Sequence, residues 1–296
     1  MSRHLLRGDK SVCYNAGMRF SCLCLIVVFG CGLAGAAEIV ETTVSSVAMG
    51  SNMPVRVILP KGYGDSDARY PVVYILHGAG GTCKVVLDVH EQELCDRYGV
   101  IGIAPDGTKT GWWWDSPMEP QMKLETYVVK DVVPWVDRHY RTLACREKRA
   151  IVGESMGGHG ACWIGFRHRD LFGAVGNVYG GVDVRAFEGQ WNLEKRLGPQ
   201  GDNPERWREH CAITEAAKLR NGDIELLTVV GTDDIFLMPN RRMHELLSAN
   251  RVAHYYLEIR GETQELSSHT HPFRKEGERI AFRFVDTYFK TGKGSL

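Results

Sequence analysis

Polar and apolar residues alternate over residues 38–47 and 55–60, on either side of Gly50-Ser-Asn-Met-Pro54, which predicts two antiparallel strands joined by a turn. The pattern then changes. Residues 70–78, 100–106, 174–181 and 224–231 are nearly continuous apolar runs, as is the stretch leading into Gly153, and such runs mark strands covered on both faces of a mostly parallel sheet. Residues 253–259 predict a last strand. Between the runs, residues 85–98, 124–140, 240–249 and 273–289 are helix-compatible. Leu124, Val128, Val132, Trp135, Val136 and Tyr140 fall at helical spacing, with Pro134 kinking or restarting that helix, and Ile280, Phe284 and Tyr288 recur four apart in the closing helix. Residues 183–207 are irregular and polar, suited to a cap over a site. Strands alternating with helices predict a doubly wound α/β sheet, with the reactive loops gathered at the carboxyl ends of its strands.

Composition narrows the class. At 296 residues and 44% hydrophobic content the chain can bury one large core, and residues 38–296 are expected to form a single catalytic domain. Lysine plus arginine and aspartate plus glutamate each number 36, so the formal charge is zero and nothing points to a nucleic-acid partner. The N-terminus reads as a leader: Met18-Arg-Phe-Ser-Cys begins basic, an apolar centre follows, and Leu33-Ala-Gly-Ala-Ala37 ends it in small residues. Residues 1–37 are therefore expected to be a signal peptide, cut near Ala36 or Ala37, and the protein to be exported to the periplasm or beyond. The apolar run is too short and glycine-rich for a stable membrane span. Initiation at Met18 is an equal alternative to Met1, and Val28-Phe-Gly-Cys31 leaves lipid anchoring as a minor option. Five cysteines lie beyond the leader (Cys83, Cys95, Cys145, Cys162, Cys211), odd in number and without a C-x-x-C pair. They read mainly as small buried hydrophobes, with one or two disulfides as the alternative, and not as zinc ligands.

The chemistry centres on Gly153-Glu-Ser-Met-Gly157, set between a β-branched run and a small-residue helix. That is the pattern of a nucleophile elbow, a tight strand-to-helix turn that lifts a serine hydroxyl clear of the sheet. A serine needs a base, and the base an acid to hold its tautomer. The acid candidates sit in Gly231-Thr-Asp-Asp-Ile-Phe236 directly after an apolar strand, Asp234 first and Asp233 in reserve; the bland alternative is a helix cap. The base is sought in Leu266-Ser-Ser-His-Thr-His-Pro-Phe273, where His269 and His271 alternate and only one can face the serine. His139, His168 and His244 lie on predicted helices, and His77 is expected to shape a turn. The oxyanion hole needs two converging N–H groups, which Met156 and Ala79 of His77-Gly-Ala-Gly-Gly81 are placed to give. Trp112, Trp113 and Trp114 offer aromatic faces to a sugar ring or aromatic acyl group; the alternative is that they pack on the core. No metal or cofactor is called for.

With these residues placed, the chain resembles the esterase D family of α/β-hydrolases, which includes S-formylglutathione hydrolases, feruloyl and acetyl-xylan esterases, small acyl esterases and mycolyltransferases. The likeness runs over most of the chain beyond the leader and rests on Tyr70-Pro-Val-Val-Tyr-Ile-Leu-His-Gly-Ala-Gly-Gly81, Glu125-Thr-Tyr127, Val133-Pro-Trp-Val-Asp137, Gly153-Glu-Ser-Met-Gly-Gly158, Arg167-His-Arg-Asp-Leu-Phe-Gly173 and Gly231-Thr-Asp-Asp-Ile-Phe-Leu237. The resemblance implies an α/β-hydrolase fold, Ser155 as nucleophile, Asp234 as acid, and Ala79 and Met156 as oxyanion donors. Two departures stand out. The family's histidine usually follows the last strand closely and precedes a tryptophan two residues on; here His271-Pro-Phe273 keeps an aromatic at that distance, which favours His271 as the base. Glu154 replaces an apolar residue before the nucleophile. The expected activity is hydrolysis of carboxylic esters through an acyl-enzyme, on feruloyl or acetyl esters of carbohydrate or on small acyl esters. Acyl transfer and S-formylglutathione hydrolysis are alternatives within the family. A carbohydrate-binding relative that has lost turnover through the altered histidine loop is the alternative of another class.

Overall fold

The structure is a computed structural model and describes residues 37–84 and 89–296. The leader, with its cleavage site, alternative start and cysteines, lies outside the described residues except for Ala37, as do residues 85–88 of the first expected helix. The described part carries eight strands in one sheet: β1 (Glu38–Ser46), β2 (Ser51–Leu59), β3 (Val72–Leu76), β4 (Ile101–Pro105), β5 (Arg149–Glu154), β6 (Ala174–Val178), β7 (Glu225–Gly231) and β8 (Tyr255–Ile259). Their order is β1-β2-β4-β3-β5-β6-β7-β8, antiparallel from β1 through β2 to β4 and parallel from β4 onward. The doubly wound sheet predicted from the alternation is the one observed. One turn differs. The β1–β2 reversal takes residues 47–50, and Ser51 to Pro54, expected in the turn, already pair with Ser46 to Thr43 as strand.

Around the sheet lie α1 (Val89–Tyr98), α2 (Leu124–Thr126), α3 (Val133–His139), α4 (Met156–Arg167), α5 (Leu193–Leu197), α6 (Pro204–Glu209), α7 (Ala212–Ala216), α8 (Leu237–Ala249) and α9 (His271–Thr291). Between α2 and α3 the chain forms a π-helical turn, Tyr127–Val132. Pro134 has no N–H and its ring crowds the carbonyl four residues back, so the register widens ahead of it and restarts with proline in the first turn of α3. The irregular stretch 183–207 holds α5 and the start of α6.

Side-chain alternation along the strands feeds two cores. Val72, Tyr74 and Leu76 of β3 join the tryptophans and α4 on one face; Val73 and Ile75 join the phenylalanines of α9 on the other. Every residue of β3, β4 and β6 is buried, which accounts for their unbroken apolar runs. All five described cysteines are free, and four are buried. Burial pushes the thiols of Cys83 and Cys211 up to about 11 and about 12, so these two behave as packing groups.

Candidate active site

Ser155 stands between β5 and α4 with φ 57° and ψ −119°, a conformation that L-residues rarely adopt. Its backbone N–H donates to the Val178 carbonyl at 3.0 Å, fixing the turn to the end of β6. A Cβ at Gly157 would collide with the Leu76 carbonyl, and one at Gly153 with the Gly157 backbone. The tight turn therefore requires glycine on both sides of the serine, and it seats the elbow against the end of β3.

The carboxyl ends of β7 and β8 supply the partners. The Ser155 hydroxyl donates to His269 Nε2 at 2.8 Å, and His269 Nδ1–H donates to Asp234 Oδ2 at 3.0 Å. The Asp234 side chain is wholly buried, and its other oxygen accepts the Phe236 N–H at 2.7 Å. The carboxylate accepts only, so it assigns the imidazole proton to Nδ1 and leaves Nε2 to face the serine. Asp233 points elsewhere: its carboxylate accepts the Ser267 hydroxyl, and its N–H donates to the Ser267 carbonyl at 2.8 Å. The reserve acid thus ties down the loop that carries His269.

The expectation for His271 is corrected. It is the first residue of α9 and is exposed, whereas His269 lies ahead of the N-cap Thr270. His271-Pro-Phe273 is a helix start: proline is favoured in a first turn, and the Thr270 hydroxyl accepts the Phe273 N–H. The aromatic two residues after His271 reflects helix entry and core packing, since Phe273 is fully buried.

The tryptophan loop is corrected as well. Trp112, Trp113 and Trp114 are 1%, 0% and 0% exposed and belong to the core on the α4 face, so none offers a face to substrate. Left-handed backbone at Trp112 (φ 56°) and Trp113 (φ 63°) turns the loop inward. Trp112 stacks on Trp114 with centroids 5.6 Å apart, and Trp113 meets the His77 ring edge-on at 5.1 Å. Burying aromatic area of that size outweighs its use as a surface platform.

His77 shapes the turn after β3, as its place in the sequence suggests. Its Nε2 accepts the Gly107 N–H at 2.9 Å, so its proton is on Nδ1, which donates to the Gly78 carbonyl at 2.9 Å. Burial lowers its pKa and keeps it neutral. Within the turn, Gly78 N–H donates to Glu154 Oε1 (2.6 Å), Gly80 N–H to the Lys109 carbonyl (2.6 Å) and Gly81 N–H to the Gly78 carbonyl (3.2 Å). Among the described residues the N–H groups of Ala79 and of Met156, at the free start of α4, have no acceptor in the fold.

Aromatic residues absent from the sequence-based site surround His269. Tyr179, at the end of β6, lies 4.4 Å from it centroid to centroid, and Phe236 meets it edge-on at 5.4 Å. Phe187 and Trp191, both half-buried, descend from the 183–207 stretch onto Phe236 at 4.9 and 5.7 Å. Two large aromatics in an otherwise polar excursion were the signal available for them.

The comparisons with known proteins fit this geometry. A model of the Esterase family matches residues 46–276, more than half of the chain. The chain belongs to the Esterase family. Similar members include Esterase Rv1288 of Mycobacterium tuberculosis, 32% identical over 143 residues, which are 47% of this chain and only 31% of that protein's length. The S-formylglutathione hydrolase of Paracoccus denitrificans is 26% identical over 240 residues, 73% of this chain and 79% of the relative. Among solved structures, a ferulic acid esterase superposes with a TM-score of 0.72 at 22% identity, covering 86% of this chain and 99% of that one. This likeness shows the fold, and the esterase-family chain has the α/β-hydrolase architecture.

Proposed function

We propose that this chain is a serine carboxylic-ester hydrolase working through an acyl-enzyme on Ser155. The observation that carries the reading is the unbroken line from Ser155 Oγ through His269 to Asp234, at 2.8 and 3.0 Å, on a strained elbow. In this reaction Ser155 Oγ attacks the ester carbonyl carbon while its proton passes to His269 Nε2. The bond from that carbon to the alcohol oxygen then breaks, and His269 returns the proton to the departing alcohol. Water attacks the acyl-enzyme in the same way, giving up a proton through His269, which releases the acid and restores the serine hydroxyl. Asp234 stabilises the imidazolium in both steps, and the Ala79 and Met156 N–H groups hold the oxyanion.

For the substrate we favour an acyl ester of carbohydrate. Half-buried Phe187 and Trp191 pack on the buried Phe236, which meets His269, and their open aromatic surface is where an aromatic acyl group or sugar ring can pack. The second reading, a thioesterase acting on S-formylglutathione, is favoured by the relative from Paracoccus that bears that name over 79% of its length. Against a relative without turnover speaks His269, which stands in hydrogen-bond contact with Ser155 despite the altered histidine loop. Export of the mature chain remains part of the proposal. No helix among the described residues is long and apolar enough to cross a membrane.

The test is turnover of p-nitrophenyl acetate by the wild type and Ser155→Ala, followed by a panel of methyl ferulate, acetylated xylan fragments and S-formylglutathione. Loss of ~10⁴-fold or more in kcat on replacing the serine is expected. Equal rates in the two proteins would end the serine-esterase reading, and preference for S-formylglutathione would favour the second substrate class.

A further inference from the structure

Glu154 precedes the nucleophile, yet its carboxylate faces the other side of the site. Oε1 accepts the Gly78 N–H at 2.6 Å, a charge-assisted bond between the end of β5 and the turn after β3. The two groups are fitted to each other: a Cβ on Gly78 would stand 2.5 Å from Oε1 and 2.8 Å from Oε2. Gly78 is buried, so without an acceptor its N–H would be left stranded. The next residue is Ala79, whose N–H has no acceptor among the described residues, while those of Gly78, Gly80 and Gly81 are all engaged.

We propose that Glu154 is a positioning residue for the oxyanion hole, locking the His77–Gly78 peptide so that the adjoining Ala79 N–H is aimed at the carbonyl attacked by Ser155. The inference rests on the esterase reading above and adds to it a residue that touches neither substrate nor reacting atoms. A counter-charge supports it. Arg274 of α9 is 3% exposed; burial works against its charge, but Glu278, Glu91 and Glu154 together hold its pKa above the usual guanidinium value. Glu154 thus holds the turn after β3 by its bond to Gly78 and lies within the field of the Arg274 charge, while His77 braces the same turn through Gly107. An apolar residue at 154 could fill the space but could not hold the peptide.

The experiment compares Glu154→Ala, Glu154→Leu and Glu154→Gln on p-nitrophenyl acetate, with Ser155→Ala in the same assay and thermal unfolding to confirm folding. Replacement by alanine or leucine should lower kcat by ~10–100-fold with KM within about twofold, because a misaimed donor weakens the transition state and not the bound ester. Glutamine keeps the acceptor and should restore kcat to within about threefold of wild type. The affinity of a phenylboronic acid, which forms an anionic tetrahedral adduct on the serine, should fall in parallel with kcat. Wild-type kcat in both the alanine and leucine variants, or a rise in KM with kcat and boronate affinity unchanged, would overturn the inference while leaving the esterase reading intact. Turnover that survives Ser155→Ala would instead remove the reading beneath it.

Discussion

Ser155 keeps φ at 57°, which for a non-glycine residue stores roughly 1–3 kcal/mol of strain that the Val178 bond and the flanking glycines hold in place. The serine could be read from its neighbours because the strain forces glycine around it. The histidine could not. His269 and His271 differ by two positions, and the choice between them turns on where α9 begins, which the proline and the Thr270 cap decide. The His271-Pro-Phe273 pattern belongs to helix initiation, not to the chemistry. Glu154 stood out as a departure, but its hydrogen bond to Gly78 crosses from one strand end to another and leaves no trace in sequence spacing. At this scale a pH effect also follows. Burial holds His77 below its ordinary pKa and His159 down to about 3, so both stay neutral in the fold where the unfolded chain takes up protons below about 6.5. The stabilisation from His159 is present above about pH 6.5 and is lost as pH falls towards about 3, and that from His77 is lost in the same direction. Urea unfolding at pH 7 and at about pH 4 should show His159 contributing on the order of a few kcal/mol to the acid loss, and His159→Phe should flatten that limb. An equally steep limb in the variant would show that His159 does not titrate this way.

At the level of elements, the apolar runs located the inner strands to within a few residues because burial on both faces leaves no polar positions to confuse them. The π-turn ahead of Pro134 was legible only as a kink, since the widened register depends on how the helix packs. The loop joining β8 to α9 was the least legible, for its geometry is set by a distant element: both the carboxylate and the backbone N–H of Asp233 grip Ser267, two residues before His269. Asp233→Ala and Ser267→Ala should each lower kcat about tenfold with little change in KM, by letting the imidazole drift from Ser155. Steady-state kinetics on a short p-nitrophenyl ester checks this, and unchanged kcat in both variants would show that the loop holds its place without the latch.

Across the whole molecule, the Ser155 turn, Asp234, His269 and the turn after β3 meet because the parallel strands all end at the same edge of the sheet. That convergence was predictable; which aromatics would line it was not. The three consecutive tryptophans are buried in the core, and the part-exposed aromatics near His269 are Phe187 and Trp191 in the excursion after β6, packed on Phe236. Trp191→Ala should therefore cut kcat/KM for a feruloyl ester roughly three- to tenfold more than for an acetyl ester, the scale of one aromatic contact; equal losses would place the acyl group elsewhere. The central claim is that one proton path, Ser155 to His269 to Asp234, runs the chemistry. Its most direct test is kcat/KM on p-nitrophenyl acetate for His269→Ala beside His271→Ala. The geometry predicts a loss of ~10⁴-fold or more in the first and a value within about threefold of wild type in the second. Retained activity in His269→Ala with collapse in His271→Ala would contradict it.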